Sequence, residues 1–252
     1  MTNRYFRHTR AWVAALALLG AAFTGVIAPA QAAVEIITAP YTPTEKFGGI
    51  NVGSIGFESG GTAGRFKMTV RDTATLKEQT FFTFCVDVAI GVQGFVAYND
   101  VSAALMFSDP LKRAHLAALL AQGNPLIDGA ATEGEAQEIA AALALAVWEI
   151  VYDSYDGMYD VMAGNFSVYG DFDPLASRAN GYLDNISSGS WTGDASRLRG
   201  FQAVVAGSTQ DQIYLAAGVP EPETWAMLIL GFLTIGAALR RRSRQTAALL
   251  AA

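Results

Sequence analysis

The 252-residue sequence predicts an α+β fold: a β-rich exported domain, sandwich or barrel-like, with inserted helices that include one buried apolar helix, followed by a single C-terminal transmembrane helix. Three observations lead there. Short runs rich in Val, Ile, Phe and Thr, separated by glycine turns, fill the first part of the domain. Two segments with helix start signals follow, and an uncharged apolar stretch closes the chain between Pro-Glu-Pro and an arginine block. The resulting division is 1–32 signal peptide, 33–218 exported domain, 219–244 C-terminal signal with its membrane helix, and 245–252 cytoplasmic tail.

At the N-terminus, Arg4, Arg7 and Arg10 precede an apolar segment from Ala11 to Ala28 that ends in small residues around Ala30-Gln31-Ala32. A basic head, an apolar middle and a small-x-small end describe a secretory signal peptide. Cleavage after Ala32 makes Ala33 the mature N-terminus, with cleavage after Ala30 as the alternate. An uncleaved anchor is the other reading, because the apolar run is long for a signal. Each of these readings exports the middle of the chain.

The overall hydrophobic fraction of 52% is inflated by the two apolar termini. Between Ala33 and Gly218 there are 21 Asp and Glu against 10 Lys and Arg, a net charge of −11. So acidic a surface disfavours nucleic acid and anionic lipid as partners and permits bound cations or basic partners. Cys85 is the only cysteine, which forbids an intrachain disulfide although the compartment would allow one. Once the signal is removed His115 is the only histidine, which leaves no two-His zinc site. No metal site and no cofactor are expected.

Strands are expected at Val34 to Thr38, Ile50 to Phe57, Arg65 to Arg71 and Gln79 to Ile90, with Ser59-Gly60-Gly61 as a turn. In the last of these, Phe82, Phe84, Val86 and Val88 alternate with Thr83, Cys85 and Asp87. Period two puts Cys85 on the face of Thr83 and Asp87, so its burial does not follow from the pattern.

The first helix starts with Asp109 as N-cap and Pro110 at its first position and runs to about Gln122, where Gly123 can cap it. Leu116, Leu119 and Leu120 form its apolar stripe, with His115 at the edge. Thr132-Glu133-Gly134-Glu135 is a capping box that opens a second helix reaching about Tyr152. Every residue from Ile139 to Trp148 is apolar, and a helix apolar all round belongs at the centre of a domain. The remainder mixes aromatics, Gly and Asp and returns to strand at Asp211 to Ala216. Within it Asp153, Asp156, Asp160, Asp171 and Asp173 cluster; their oxygens could hold calcium, but the spacing fits no EF-hand, and a solvated acidic loop is the preferred reading.

Pro220 and Pro222 fix φ and lack an N–H, so they end the domain and hold an extended spacer. From Thr224 to Leu239 no residue is charged, with Trp225 at the outer edge, and Arg240, Arg241, Arg242 and Arg244 follow. The run is somewhat shorter than the about 20 residues of an ideal span, a deficit that snorkelling arginines can make up. The positive-inside rule keeps those arginines cytoplasmic and everything before Pro220 outside the inner membrane.

This tail resembles the PEP-CTERM sorting signal of Gram-negative bacteria, in the subtype with Trp-Ala-Met after Pro-Glu-Pro. The matching residues are Pro220, Glu221, Pro222, Trp225, Ala226, Met227, Gly231, Phe232, Arg240, Arg241 and Arg242. Leu233, where the subtype often has glycine, and the extension Gln245 to Ala252 are departures. The resemblance implies recognition by an exosortase-type membrane peptidase and delivery to the cell surface or the exopolysaccharide matrix of a biofilm.

Phe84-Cys85-Val86-Asp87, followed by a helix ending Ala146-Val147-Trp148-Glu149-Ile150-Val151-Tyr152, resembles the thioester domains of bacterial surface adhesins. In those domains a strand cysteine bonds to a helical glutamine four residues before the tryptophan. Ala144 stands there, and Gln137, the nearest helical glutamine, lies seven residues earlier. A free, partly buried thiol is therefore the expectation for Cys85. The leading expectation for function is a non-enzymatic exported protein with extracellular polysaccharide as a candidate partner. The alternatives are a covalent adhesin using Cys85 and a secreted glycan hydrolase using a carboxylate pair from Glu149, Asp153 and Asp156, one of them raised in pKa by burial.

Overall fold

The structure, a computed structural model, describes residues 32–217 and 229–235. Residues 32–217 hold nine strands and four α-helices: β1 (Ala32–Thr38), β2 (Lys46–Val52), β3 (Phe57–Ala63), β4 (Phe66–Asp72), β5 (Glu78–Cys85), β6 (Ala97–Ser102), α1 (Ala103–Met106), α2 (Pro110–Asp128), α3 (Glu133–Tyr152), β7 (Phe166–Tyr169), α4 (Asp173–Ser187), β8 (Leu198–Ala203) and β9 (Gln212–Leu215). Six strands close an antiparallel barrel in the order β1-β4-β5-β9-β8-β6, with β6 pairing back onto β1. The expected choice between sandwich and barrel is thereby settled as barrel. Closure leaves this sheet without a free edge. A second antiparallel sheet has the order β3-β2-β7.

The helices start as their sequences require. The Asp109 carboxylate accepts the N–H of Leu111, and Thr132 Oγ1 accepts the N–H of Glu135 at 3.1 Å. Helix α3 is buried continuously from Ile139 to Ile150 and touches α2, α4, both sheets and the end of β5. Its alanines at 140, 141, 142, 144 and 146 let these neighbours approach closely.

Several boundaries differ from the sequence expectation. Ile50 to Phe57 is not one strand: β2 ends at Val52, a 3-10 turn over Gly53–Ile55 follows, and Gly56 closes it at φ 61° before β3 begins. Ser59-Gly60-Gly61 is not a turn but the middle of β3. Helix α2 does not stop at Gly123. It continues to Asp128, because Gly123 serves as a contact: a Cβ there would meet Leu143 Cδ2 at 2.5 Å. The strand expected to reach Ile90 ends at Cys85. Helix α4, with Leu175, Ala176, Ala179, Leu183 and Ile186 buried, was not expected.

No helix among the described residues is long and apolar enough to cross a membrane. The expected membrane helix from Thr224 to Leu239 lies largely outside the described residues, as do the signal peptide up to residue 31 and the sorting residues Pro220, Glu221, Pro222, Trp225, Ala226, Met227, Arg240, Arg241 and Arg242. Gly231 and Phe232 fall in the short helical stretch 229–235, where Phe232 is exposed.

Candidate functional site at the seam between barrel and central helix

Cys85 is the last residue of β5 and Trp148 lies near the end of α3; the two meet where the barrel packs on the helix. The indole Nε1 of Trp148 donates to the Cys85 carbonyl at 3.0 Å. Both residues are buried, Cys85 being 2% exposed. The open question of which way Cys85 faces is settled: it is core, because both faces of this end of β5 are buried, Thr83, Phe84 and Cys85 all being inaccessible. Cys85 and Gln212 are directly opposed in the β5–β9 pair. Burial pushes the thiol up to about 12; the indole N–H offsets part of this, and the Asp87 charge adds to it. A thiol so raised stays protonated at neutral pH and is a poor nucleophile.

Among the described residues, neither Gln137 nor Gln212 offers it a free amide. Ala144 is buried in α3. Gln137 donates to the Glu45 carbonyl at 2.8 Å. Gln212, which the sequence reading did not single out, accepts from Thr83 Oγ1 at 3.0 Å and donates to Gln210 Oε1 at 3.1 Å. Gln210 Nε2 in turn donates to the Asp87 carbonyl, and Asp87 Oδ2 accepts the N–H of Asp211 at 2.8 Å. Thr209 completes this polar layer, with Tyr98 Oη 2.6 Å from its Oγ1. The only signal for these residues was the polar run Ser208 to Gln212 leading into the expected strand at Asp211. The closure of the barrel buries Thr209, Gln210 and Gln212 of it.

Trp148 also lines one wall of a cavity of about 430 Å³, together with Tyr41, Phe57, Phe66 and Gln210. The cavity lies between the residues of β3 and the segment Val88 to Val92. Cys85 is not among its lining residues.

The carboxylates weighed for the alternative hydrolase reading, Glu149, Asp153 and Asp156, lie at and just beyond the C-terminal end of α3. Glu149 is 1% exposed, and burial raises its pKa to about 8, with the charges of Asp153 and Asp160 adding to the effect. Its Oε1 accepts the Asp160 N–H at 3.0 Å, while Oε2 has no hydrogen-bond partner. Asp153 accepts the N–H groups of Asn165 at 2.8 Å and Phe166 at 3.3 Å. A second cavity of about 370 Å³ is lined by Asp109, Lys112 and Asp153 but not by Glu149. Asp156 is exposed.

Of the acidic cluster, Asp156, Asp160, Asp171 and Asp173 are exposed, in keeping with a solvated acidic region, and Asp153 is half-buried. Asp160 Oδ1 accepts from the Met162 N–H at 3.0 Å and Asn180 Nδ2 at 2.7 Å, and Asp173 sits in the first turn of α4, where the helix dipole favours it. Among the described residues no three of His, Cys, Asp and Glu gather as they would around a metal ion. His115 packs edge-on against Tyr155, and its Nδ1 lies 2.9 Å from Tyr159 Oη.

No protein-family model matches the chain, and no curated protein matches it significantly. Among solved structures the chain is distantly similar to the thioester domain of the Staphylococcus aureus TIE protein, at 10% identity and a TM-score of 0.37, over 76% of this chain and 80% of that one.

Proposed function

We propose that the chain is a non-enzymatic exported protein, held first in the inner membrane by its C-terminal helix and then processed by an exosortase-type peptidase for the cell surface or the exopolysaccharide matrix. The observation that carries this reading is the order of the tail: Pro220-Glu221-Pro222, Trp225-Ala226-Met227, an uncharged run and Arg240 to Arg242, on a chain that opens with Arg4, Arg7 and Arg10 before an apolar segment. The domain between these signals is built to fold after export without a disulfide. Its only cysteine is buried, and Ala33 already belongs to the barrel, its carbonyl accepting the N–H of Thr73 at 3.2 Å. The engagement of Gln137 and Gln212 elsewhere favours a free thiol over an adhesin thioester. The burial of Glu149 favours a structural carboxyl over a hydrolytic one.

Replacing Pro220-Glu221-Pro222 by three alanines tests the reading. Membrane retention needs only apolar burial and the arginines, whereas a peptidase at the bilayer surface needs extended backbone, which alanines would return to helix. The variant should fold and accumulate full length in the inner-membrane fraction, while the wild type loses its tail and reaches the surface or medium. Normal processing of the alanine variant would reduce the tail to a stop-transfer anchor.

A further inference from the structure

The outer face of the β3-β2-β7 sheet carries an arrangement that neither the core nor the sorting signals use. Strand β2 alternates: Gly48, Ile50 and Val52 face inward, and Phe47, Gly49 and Asn51 face outward. Across the ladder Gly49 opposes Gly60 of β3 and Tyr169 of β7, and Asn51 opposes Glu58 and Ser167. Phe47 is 61% and Tyr169 42% exposed. Each ring closes on a glycine: a Cβ built on Gly60 would run into the tip of Phe47 at Cζ, and one built on Gly49 into the Cε2 side of Tyr169. With any larger residue at these two positions the rings would be pushed away from the sheet. The glycines let both rings approach the backbone while staying open to solvent.

We propose that this face is a docking platform for a neutral polysaccharide. The proposal names the matrix partner of the exported protein and rests on that reading for its setting, though its chemistry stands apart from the sorting tail. The negative face of an aromatic ring attracts the C–H groups that line one side of a pyranose, as it attracts the positive edge of another ring. Strands about 4.8 Å apart make a three-stranded face wide enough for more than one sugar ring. Beside the rings, Asn51, Glu58 and Ser167 form a polar row whose side chains make no hydrogen bond to another described residue, leaving an amide, a carboxylate and a hydroxyl for sugar hydroxyls. The outward set holds no cation, and the domain carries a net charge of −11, so an anionic polymer would meet repulsion without a counter-charge. These features favour an uncharged chain.

The full-length protein in detergent, run through native gels containing dextran, soluble cellulose ether or alginate, tests this. Retardation by at least one of the two neutral glycans and none by alginate is expected. Phe47→Ala combined with Tyr169→Ala should weaken retardation at least tenfold, and Asn51→Ala should weaken it less. Phe95→Ala, which removes another exposed ring, should leave it unchanged. Thermal unfolding of each variant reports whether the fold is kept. The proposal is overturned if neither neutral glycan retards the wild type, if alginate retards it more strongly, or if the double variant binds like the wild type. It is equally overturned if the double variant abolishes a concentration-dependent dimer while no glycan binds, since the face would then serve a second copy. Failure of tail processing leaves these gels unaffected, so the two readings fail separately.

Discussion

Trp148 and Glu149 are consecutive on α3, equally buried at 1% exposure, and handled in opposite ways. Trp148 faces the end of β5, where its single polar atom finds the Cys85 carbonyl and the rest of the ring finds apolar neighbours, including Phe166 with ring centroids 6.2 Å apart. Glu149 faces the segment from Asp153 to Asp160, where one oxygen is satisfied by a backbone N–H and the other is not. Burial raises the pKa of the Cys85 thiol and of the Glu149 carboxyl alike. The consequences differ because the starting points differ. A thiol is already protonated at neutral pH and loses nothing by being raised, whereas a carboxyl raised to about 8 must hold a proton it would otherwise release. The Cys85 thiol is therefore indifferent to pH around neutrality, and the Glu149 carboxyl is not.

The sharpest way to break the seam is Trp148→Ala, which empties the largest buried side chain and strips the Cys85 carbonyl of its donor. A loss of about 3–5 kcal/mol is expected from denaturant unfolding, with Cys85 becoming open to alkylation in the folded state. A loss below about 1 kcal/mol would mean that the surrounding alanines collapse into the space.

At the corner, Glu149→Gln should change the pH profile. Because the folded-state pKa lies above the ordinary 4.5, the folded protein binds the extra proton. Its stabilising contribution is complete below about 4.5 and is lost as pH rises through about 8. The amide keeps an acceptor for the Asp160 N–H and cannot ionise. The variant should match the wild type at low pH and exceed it above pH about 8 by on the order of a few kcal/mol. Parallel profiles for the two proteins from pH 4 to 9 would show that Glu149 does not carry the proton.

The smallest effect is expected at the thiol. Cys85→Ala should cost about 1 kcal/mol, as for a small buried apolar group. The intact mass of the wild type should match the free thiol, and iodoacetamide should label Cys85 fully only after unfolding. A mass lower by one ammonia, restored with methylamine, would show instead that the thiol had displaced a glutamine amide.

The parts legible in the sequence were those governed by near neighbours along the chain. Asp109 with Pro110 and Thr132 with Glu135 specify helix starts through bonds that span two or three residues, and both starts fell where expected. The apolar run from Ile139 to Trp148 specified a central helix by itself, since no orientation on a surface could hide all its faces. The ends of β1, β4 and β9 fell within about two residues of expectation, but those of β2 and β5 and the roles of the glycines were not legible. Gly123 resembles a helix cap, and Ser59-Gly60-Gly61 resembles a turn, until Leu143 and the ring of Phe47 are brought against them from elsewhere in the chain. Helix α4 was hidden because Gly181 is a poor helix former and Asn180 puts a polar residue beside the apolar stripe, and Asn180 is explained only by its bonds to the Val161 N–H and the Asp160 carboxylate.

The candidate site divides along the same line. The sequence by itself determined that Cys85 had no disulfide partner and that Ala144 occupied the helix position where a glutamine would matter. Only the tertiary structure decided that Cys85 is buried opposite Gln212, that Glu149 is the carboxyl raised by burial, and that Phe47 and Tyr169 share an open sheet face. The physical reason is range. Caps, periodicity and signal segments act through a few bonds of chain, whereas burial and pKa depend on strands that pair across more than a hundred residues, as β5 does with β9.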